Sequence, residues 1–221
     1  MTDFPVYLGG LEIRQRGGAR VLSGRFPYGK LATTSNTGRR RKERIRSGAF
    51  RYQVKEFDRV QEELQGLMAE GADQVRIEAA QETLERRNIH ILHGHDFNKP
   101  LGDRLRGTAR VIEDDAAVAF EVDLPDENLM PTYMADAVKE IEINRAGGIS
   151  PGFNVGPRGG ERLVREPSAL GDADVREVTD AVLFELSIVS RPVYAQTDLS
   201  LRGDAVHGED KHIHGGAIGW L

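Results

Sequence analysis

Apolar positions recur along this chain with two different periods. Two short β-like runs, VYLGGLEI and ARVLSGRF, lie within residues 6–28 and are separated by a link containing Gly17-Gly18. From about 54 to 88 the period lengthens. Phe57, Val60, Leu64, Leu67 and Met68 recur at three- and four-residue steps, which is the stripe of an amphipathic helix. Gly71 interrupts that stripe, and the second half, ADQVRIEAAQETLERRN, is charged with few apolar anchors. NIHILHGHDF then reads as a strand running into a turn. RLRGTARVI and AVAFEVDL flank EDDA and read as a hairpin, because Val118, Phe120, Val122 and Leu124 alternate with period two. A helix is predicted over about 131–146, with Met134, Ala137 or Val138, and Ile141 on its apolar face and Gly147-Gly148 ending it. DAVLFELSIVSRPVY is apolar on both alternating faces, the pattern of a central buried strand.

Two polar stretches break this order. Arg39–Arg46 is a basic cluster without interleaved aromatic residues, so it reads as a solvated loop rather than a nucleic-acid arm. Residues 156–177 read as a long Gly-rich, charged loop. The segment from 203 onward, rich in Gly and His, reads as a flexible tail. The elements predict one α+β domain over 1–202 with a helical insertion at about 54–88, followed by a tail at 203–221. They do not show the regular strand–helix alternation of a doubly wound sheet.

Composition narrows the chemistry. The 221 residues suffice for one sizeable core, and the formal net charge of −5 argues against a dedicated nucleic-acid binder. There is no cysteine, which removes disulfides, thiolate metal sites and a cysteine nucleophile. No apolar run approaches the roughly 18 residues of a membrane span, and the N-terminal stretch MTDFPVYLGG lacks the pattern of a secretory signal. No membrane association and a cytoplasmic location are therefore expected.

Three anomalies remain. His90, His93 and His95 crowd into six residues. On a strand, His93 and His95 would face the same side and could chelate a metal ion, but a third ligand would have to come from elsewhere. The tail histidines His207, His212 and His214 could add only weak metal binding. Ser150 follows Gly147-Gly148 and precedes Pro151-Gly152-Phe153. A serine there can be an ordinary turn residue or a nucleophile. As a nucleophile it would find no amide donor in Pro151, so the oxyanion would fall to another group, such as the Gly152 amide. Glu185 sits among Ala181, Val182, Leu183, Phe184, Leu186, Ile188 and Val189. A carboxylate there must pair, with an arginine or an imidazole, or take up a proton. Ser150, a histidine near 95 and Glu185 are the residue types of a Ser–His–acid triad. Whether they meet is a question of tertiary structure.

The ordered set VLSGRFPYG, ERIRSGAF, ILHGHDFNKPLG, GTARVIEDDAAVAFEVDLP, SPGF and FELSIVSRPVYAQT, over roughly residues 20–200, resembles the prohead (capsid maturation) serine proteases of tailed phages. That family is related to the herpesvirus assemblin proteases. The resemblance implies an assemblin-like, mostly antiparallel β-barrel with surrounding helices. It implies His95 as general base, Ser150 as nucleophile and Glu185 as the group supporting the histidine. Arg191 is then a second oxyanion candidate beside Gly152, His93 is a neighbour, and Asp96 shapes the turn. It further implies cleavage of the scaffold segment of the major capsid protein and of the chain itself, inside an assembling procapsid in the host cytoplasm. No cofactor is needed, and a homodimer is allowed. The 54–88 helices would be an addition, a lid or a docking element. A non-enzymatic capsid-assembly protein keeping the same fold is the competing class. A hydrolase using a metal on His93 and His95 is the third.

Overall fold

The computed structural model describes residues 10–16, 19–36, 39–156, 159–167 and 173–190. The chain opens with an antiparallel pair, β1 (Gly10–Arg16) and β2 (Ala19–Pro27). A second antiparallel pair follows, β3 (Leu31–Asn36) and β4 (Arg39–Ile45). A helical hairpin comes next, α1 (Arg51–Ala69) and α2 (Gln74–Arg86). Gly71 takes a positive φ of 66°, which glycine adopts at little cost, and Asp73 caps α2 by accepting a hydrogen bond from the Arg76 amide at 3.1 Å. Phe57, Val60 and Leu67 of α1 pack on Ala80 and Leu84 of α2 as a small core of their own. Met68, predicted within this stripe, is instead 63% exposed.

The strand β5 (His90–His93) turns tightly into β6 (Asp96–Asp103), so DFNKPLGD is a strand and not only a turn. The predicted hairpin is β7 (Ala109–Glu113) and β8 (Ala117–Asp123), and Asp114 closes its turn by accepting from the amides of Ala116 and Ala117, each at 2.7 Å. Helix α3 runs Thr132–Glu142 and stops short of Gly147-Gly148. Asn144 takes the left-handed φ of 55° beyond its end, the role predicted for the glycines. Gly148 already belongs to β9 (Gly148–Val155). Then come β10 (Glu161–Glu166), β11 (Ala173–Val178) and β12 (Ala181–Val189).

These strands form three four-stranded sheets, in the orders β1-β2-β8-β7, β10-β11-β4-β3 and β6-β5-β12-β9. The architecture is α+β in one domain. No sheet closes on itself among the described residues, so the predicted barrel is instead a set of three sheets around a shared core. Leu22, Phe26, Phe120, Ile149, Leu183 and Leu186 belong to that core. As its pattern predicts, β12 is internal, parallel to β5 on one side and antiparallel to β9 on the other.

The two polar stretches read as loops are strands of one sheet. The basic cluster is β4, and the 156–177 segment contributes β10 and β11. Their charges are paired across strands. Arg44 bonds Glu166 at 2.6 Å and Glu177 at 3.1 Å, Arg162 bonds Glu177 at 2.8 Å, and Arg176 bonds the buried Glu43. Burial pushes the Glu43 carboxyl up, against the pull of Arg176. Alternating charges carry no hydrophobic period, so this sheet is invisible to a pattern of apolar residues. Arg191 and the segment from 203, with His207, His212 and His214, lie outside the described residues.

Phe120 on β8 is a central plug of the core, with its ring against Gly24. Phe120→Ala is expected to cost about 3–5 kcal/mol, read as a lower urea midpoint in equilibrium unfolding.

Candidate active site

The site is built on the β6-β5-β12-β9 sheet, and a single irregularity in β12 aims it. Opposite β9, Leu183 pairs with Phe153 and Glu185 pairs with Gly152, so Phe184 is an extra residue in the ladder. A one-residue insertion reverses the facing of every side chain beyond it. Leu183, Leu186 and Ile188 therefore enter the core, while Glu185 and Ser187 share the opposite face. Gly152 makes room for the acid. A Cβ built there would lie 2.4 Å from Glu185 Cγ and 2.5 Å from its Oε1.

His95 reaches the same face from the neighbouring hairpin. His93 pairs with Asp96, leaving Gly94 and His95 as a two-residue loop with φ values of 67° and 61°. Two consecutive positive φ values are what a type I′ hairpin turn requires, and the second is costly for a histidine. Two bonds from β12 hold it. The Gly94 amide donates to the Ile188 carbonyl at 2.9 Å, and the His95 amide donates to Ser187 Oγ at 3.1 Å. The ring is thereby delivered to Glu185, with Nδ1 2.8 Å from Oε1. Ser187 Oγ donates to the other carboxylate oxygen, Oε2, at 2.6 Å. A carboxylate in its ionised form only accepts, so paired with such a carboxylate His95 would carry its hydrogen on Nδ1 and keep Nε2 as the basic position of the ring. Glu185 is 1% exposed, whereas the His95 side chain keeps 22% of its surface and opens the site to solvent.

Ser150 joins through register. It lies directly opposite Ser187 across β9 and β12, and directly opposed residues of an antiparallel pair point to the same side with Cβ atoms about 4.5–5.5 Å apart. The sheet order makes β9 an edge strand, which tolerates Pro151 beside Ser150. Ser150 is fully buried. The fold thus gathers Ser150, His95, Glu185 and Gly152 from two strands and one turn.

His93 and His95 do not share a face, as the alternative of a metal chelated by both would need. The strand ends at His93, and the left-handed turn breaks the two-residue alternation that would put both rings on one side. His93 Nε2 meets Glu140 of α3 at 3.2 Å, and His95 meets Glu185. Among the described residues there is no group of three or more His, Asp or Glu side chains that could hold a metal ion. Asp96 bonds the Asn98 amide at 2.9 Å and lies 3.6 Å from Lys99, as a turn-shaping residue does. The Asn98 amide in particular holds its carboxyl below the usual range.

A family model described as caudovirus prohead serine protease matches residues 47–210. The chain belongs to the caudovirus prohead serine protease family. Comparison with curated proteins and with solved structures finds no match. Membership makes this a serine protease of phage capsid maturation. The match spans the β5–β6 turn, β9 and β12, so the elements that assemble the site all lie within the family region. Among the described residues no helix of this prohead protease is long and apolar enough to cross a membrane.

One site residue escaped the sequence reading. Ser187 stands two positions after Glu185, the spacing that puts two strand residues on one face, and that signal was legible in FELS. The other devices, Phe184 as an inserted residue and Gly152 as space for the acid, carry no mark in sequence.

Two outcomes follow. Gly152→Ala forces a methyl into the Glu185 side chain and is expected to lower stability by about 1–3 kcal/mol, read by thermal unfolding. Ser187→Ala strands the buried Oε2 and the His95 amide, and is expected to cost about 1–3 kcal/mol and to slow cleavage of a peptide substrate.

Proposed function

We propose that this prohead protease works through Ser150 as nucleophile, His95 as general base and Glu185 as the supporting acid. The observation carrying this reading is the 2.8 Å bond between His95 Nδ1 and Glu185 Oε1, on the face of the sheet that Ser150 shares through its register with Ser187. The assignment of Nδ1–H to Glu185 leaves Nε2 to take the proton of Ser150 as Oγ attacks the peptide carbonyl. Glu185 holds the ring in that tautomer and stabilises the imidazolium that forms. The tetrahedral oxyanion is held by backbone amides. The Gly152 N–H is the nearest chain donor after Ser150, because Pro151 has none, and Arg191 is a second contributor. His95 then protonates the leaving amine, and water hydrolyses the acyl-enzyme by the same base.

The substrate on this reading is the scaffold segment of the major capsid protein, together with the chain's own ends, inside the assembling procapsid. The same reading keeps the likeness to the assemblin proteases. It is supported by a β core whose pairings are antiparallel except for β4 with β11 and β5 with β12. On this reading the protease domain extends to about 202, and self-cleavage falls in the Gly- and His-rich sequence that follows it.

The test is intact-mass spectrometry of the wild type and Ser150→Ala, each expressed with the capsid protein encoded beside it. Wild type shortens itself or the capsid protein, and Ser150→Ala leaves both whole, a loss on the order of 10⁶-fold in kcat. Identical masses from both variants would overturn the role of Ser150. Cleavage in both would point to another nucleophile, and cleavage in neither would favour a non-enzymatic assembly protein. Glu185→Gln is expected to keep the fold and lose up to about 10⁴-fold in kcat, because an amide favours the wrong imidazole tautomer.

A further inference from the structure

We infer that Gln53, on the helical hairpin, is a positioning residue for Glu185; the inference rests on the catalytic reading above. Gln53 is 1% exposed, at the first turn of α1. Its Nε2 donates to the Leu183 carbonyl at 2.5 Å and to the Arg87 carbonyl at 3.2 Å. Leu183 is the last residue in register before the Phe184 insertion, so this amide grips β12 at the point where its facing reverses. Arg87 is the residue that ends α2. One side-chain amide thus ties both helices to the bulge that turns Glu185 toward His95.

The geometry also shows a cost. Gln53 Oε1 is buried without a hydrogen-bond partner. Both acceptors are main-chain carbonyls, so the amide cannot flip to satisfy that oxygen without losing them. A buried amide kept at this expense is kept for its two N–H groups. If the bulge relaxed, β12 would slide toward regular pairing and Glu185 would move to the core face, away from His95. The backbone bond from the Ala181 amide to the Ala49 carbonyl, at 2.9 Å, ties β12 to the turn before α1, but it lies before the insertion and does not hold it.

The test is a double-mutant cycle in the full chain with Gln53→Met, which keeps the side chain's length and apolar packing, and Glu185→Gln. Folding is verified by thermal unfolding. Cleavage of a peptide spanning a capsid-protein cut site is expected to fall ~10–100-fold in kcat for Gln53→Met, with KM within about twofold, the scale of a catalytic group displaced by about 1 Å. In the Glu185→Gln background the same change is expected to cost nothing more, since its route runs through the acid. Equal losses in both backgrounds, or none in either, would overturn the inference. Should Gln53→Met fail to fold, Gln53→Glu, which keeps the shape and lacks both N–H donors, takes its place in the same cycle.

A readout independent of turnover separates this claim from the catalytic reading. In Ser150→Ala, the proton resonance of His95 Nδ1–H, assigned by its loss in His95→Gln, is expected to shift or broaden when Gln53→Met is added. An unmoved resonance would sink the role of Gln53 while leaving the catalytic reading intact. A moved resonance in a chain whose wild type cleaves nothing would keep Gln53 as the support of Glu185 and sink the catalytic reading.

Discussion

A carboxylate buried in the middle of an internal strand is the constraint around which this site is organised. Left alone, Glu185 would be too costly to keep charged away from water. It is kept because two donors meet it, the imidazole of His95 on one oxygen and the hydroxyl of Ser187 on the other. Each donor is in turn held by the strand that carries the acid. Ser187 is part of β12, and the turn that presents His95 is pinned to β12 through Ser187 Oγ and the Ile188 carbonyl. The bonds close a loop, so the placement of any one group depends on the other two.

Backbone irregularities do the aiming. The inserted Phe184 puts Glu185 on the opposite face from Leu183, so one strand can fill the core and furnish the acid. The left-handed Gly94-His95 pair folds β5 onto β6 with no loop to spare, which fixes the imidazole within a tight hairpin rather than on a long segment. Gly152 supplies the volume that the acid occupies. Such departures from regular strand geometry are expected where a chain trades local stability for placement.

The remaining sheets serve the same end by different means. The β1-β2-β8-β7 sheet backs the β6-β5-β12-β9 sheet through apolar packing, Phe120 and Ile149 both lying beside Gly24. The β10-β11-β4-β3 sheet is stitched by arginine–glutamate pairs around the buried Glu43 and Glu177. Exposed pairs of this kind contribute little, but a buried carboxylate without its arginine would be a liability, so the network specifies which strands pair. The helical hairpin, which a linear reading treats as an addition, has its own small core and a grip on β12 through Gln53.

Much of this was legible in the chain itself. Period-two alternation in AVAFEVDL, the run of DAVLFELSIV that is apolar on both faces, and three–four spacing from Phe57 to Leu67 mark two strands and a helix, because burial on one face or on both demands those patterns. The isolated acid in an apolar strand stands out by its surroundings, whereas the His-Asp pair and SPGF are singled out as candidate site residues by the family resemblance, a serine in a turn being ordinary. What only the tertiary structure decided was everything that depends on one strand facing another. The charged β4, β10 and β11 form a sheet because their arginines and glutamates meet across strands, a complementarity with no period along any single one. His95 parts from His93 because a left-handed turn, not a continuing strand, separates them. Glu185 turns toward an imidazole rather than an arginine because one extra residue in β12 reverses its face, and a register shift exists only once there is a partner to be out of step with.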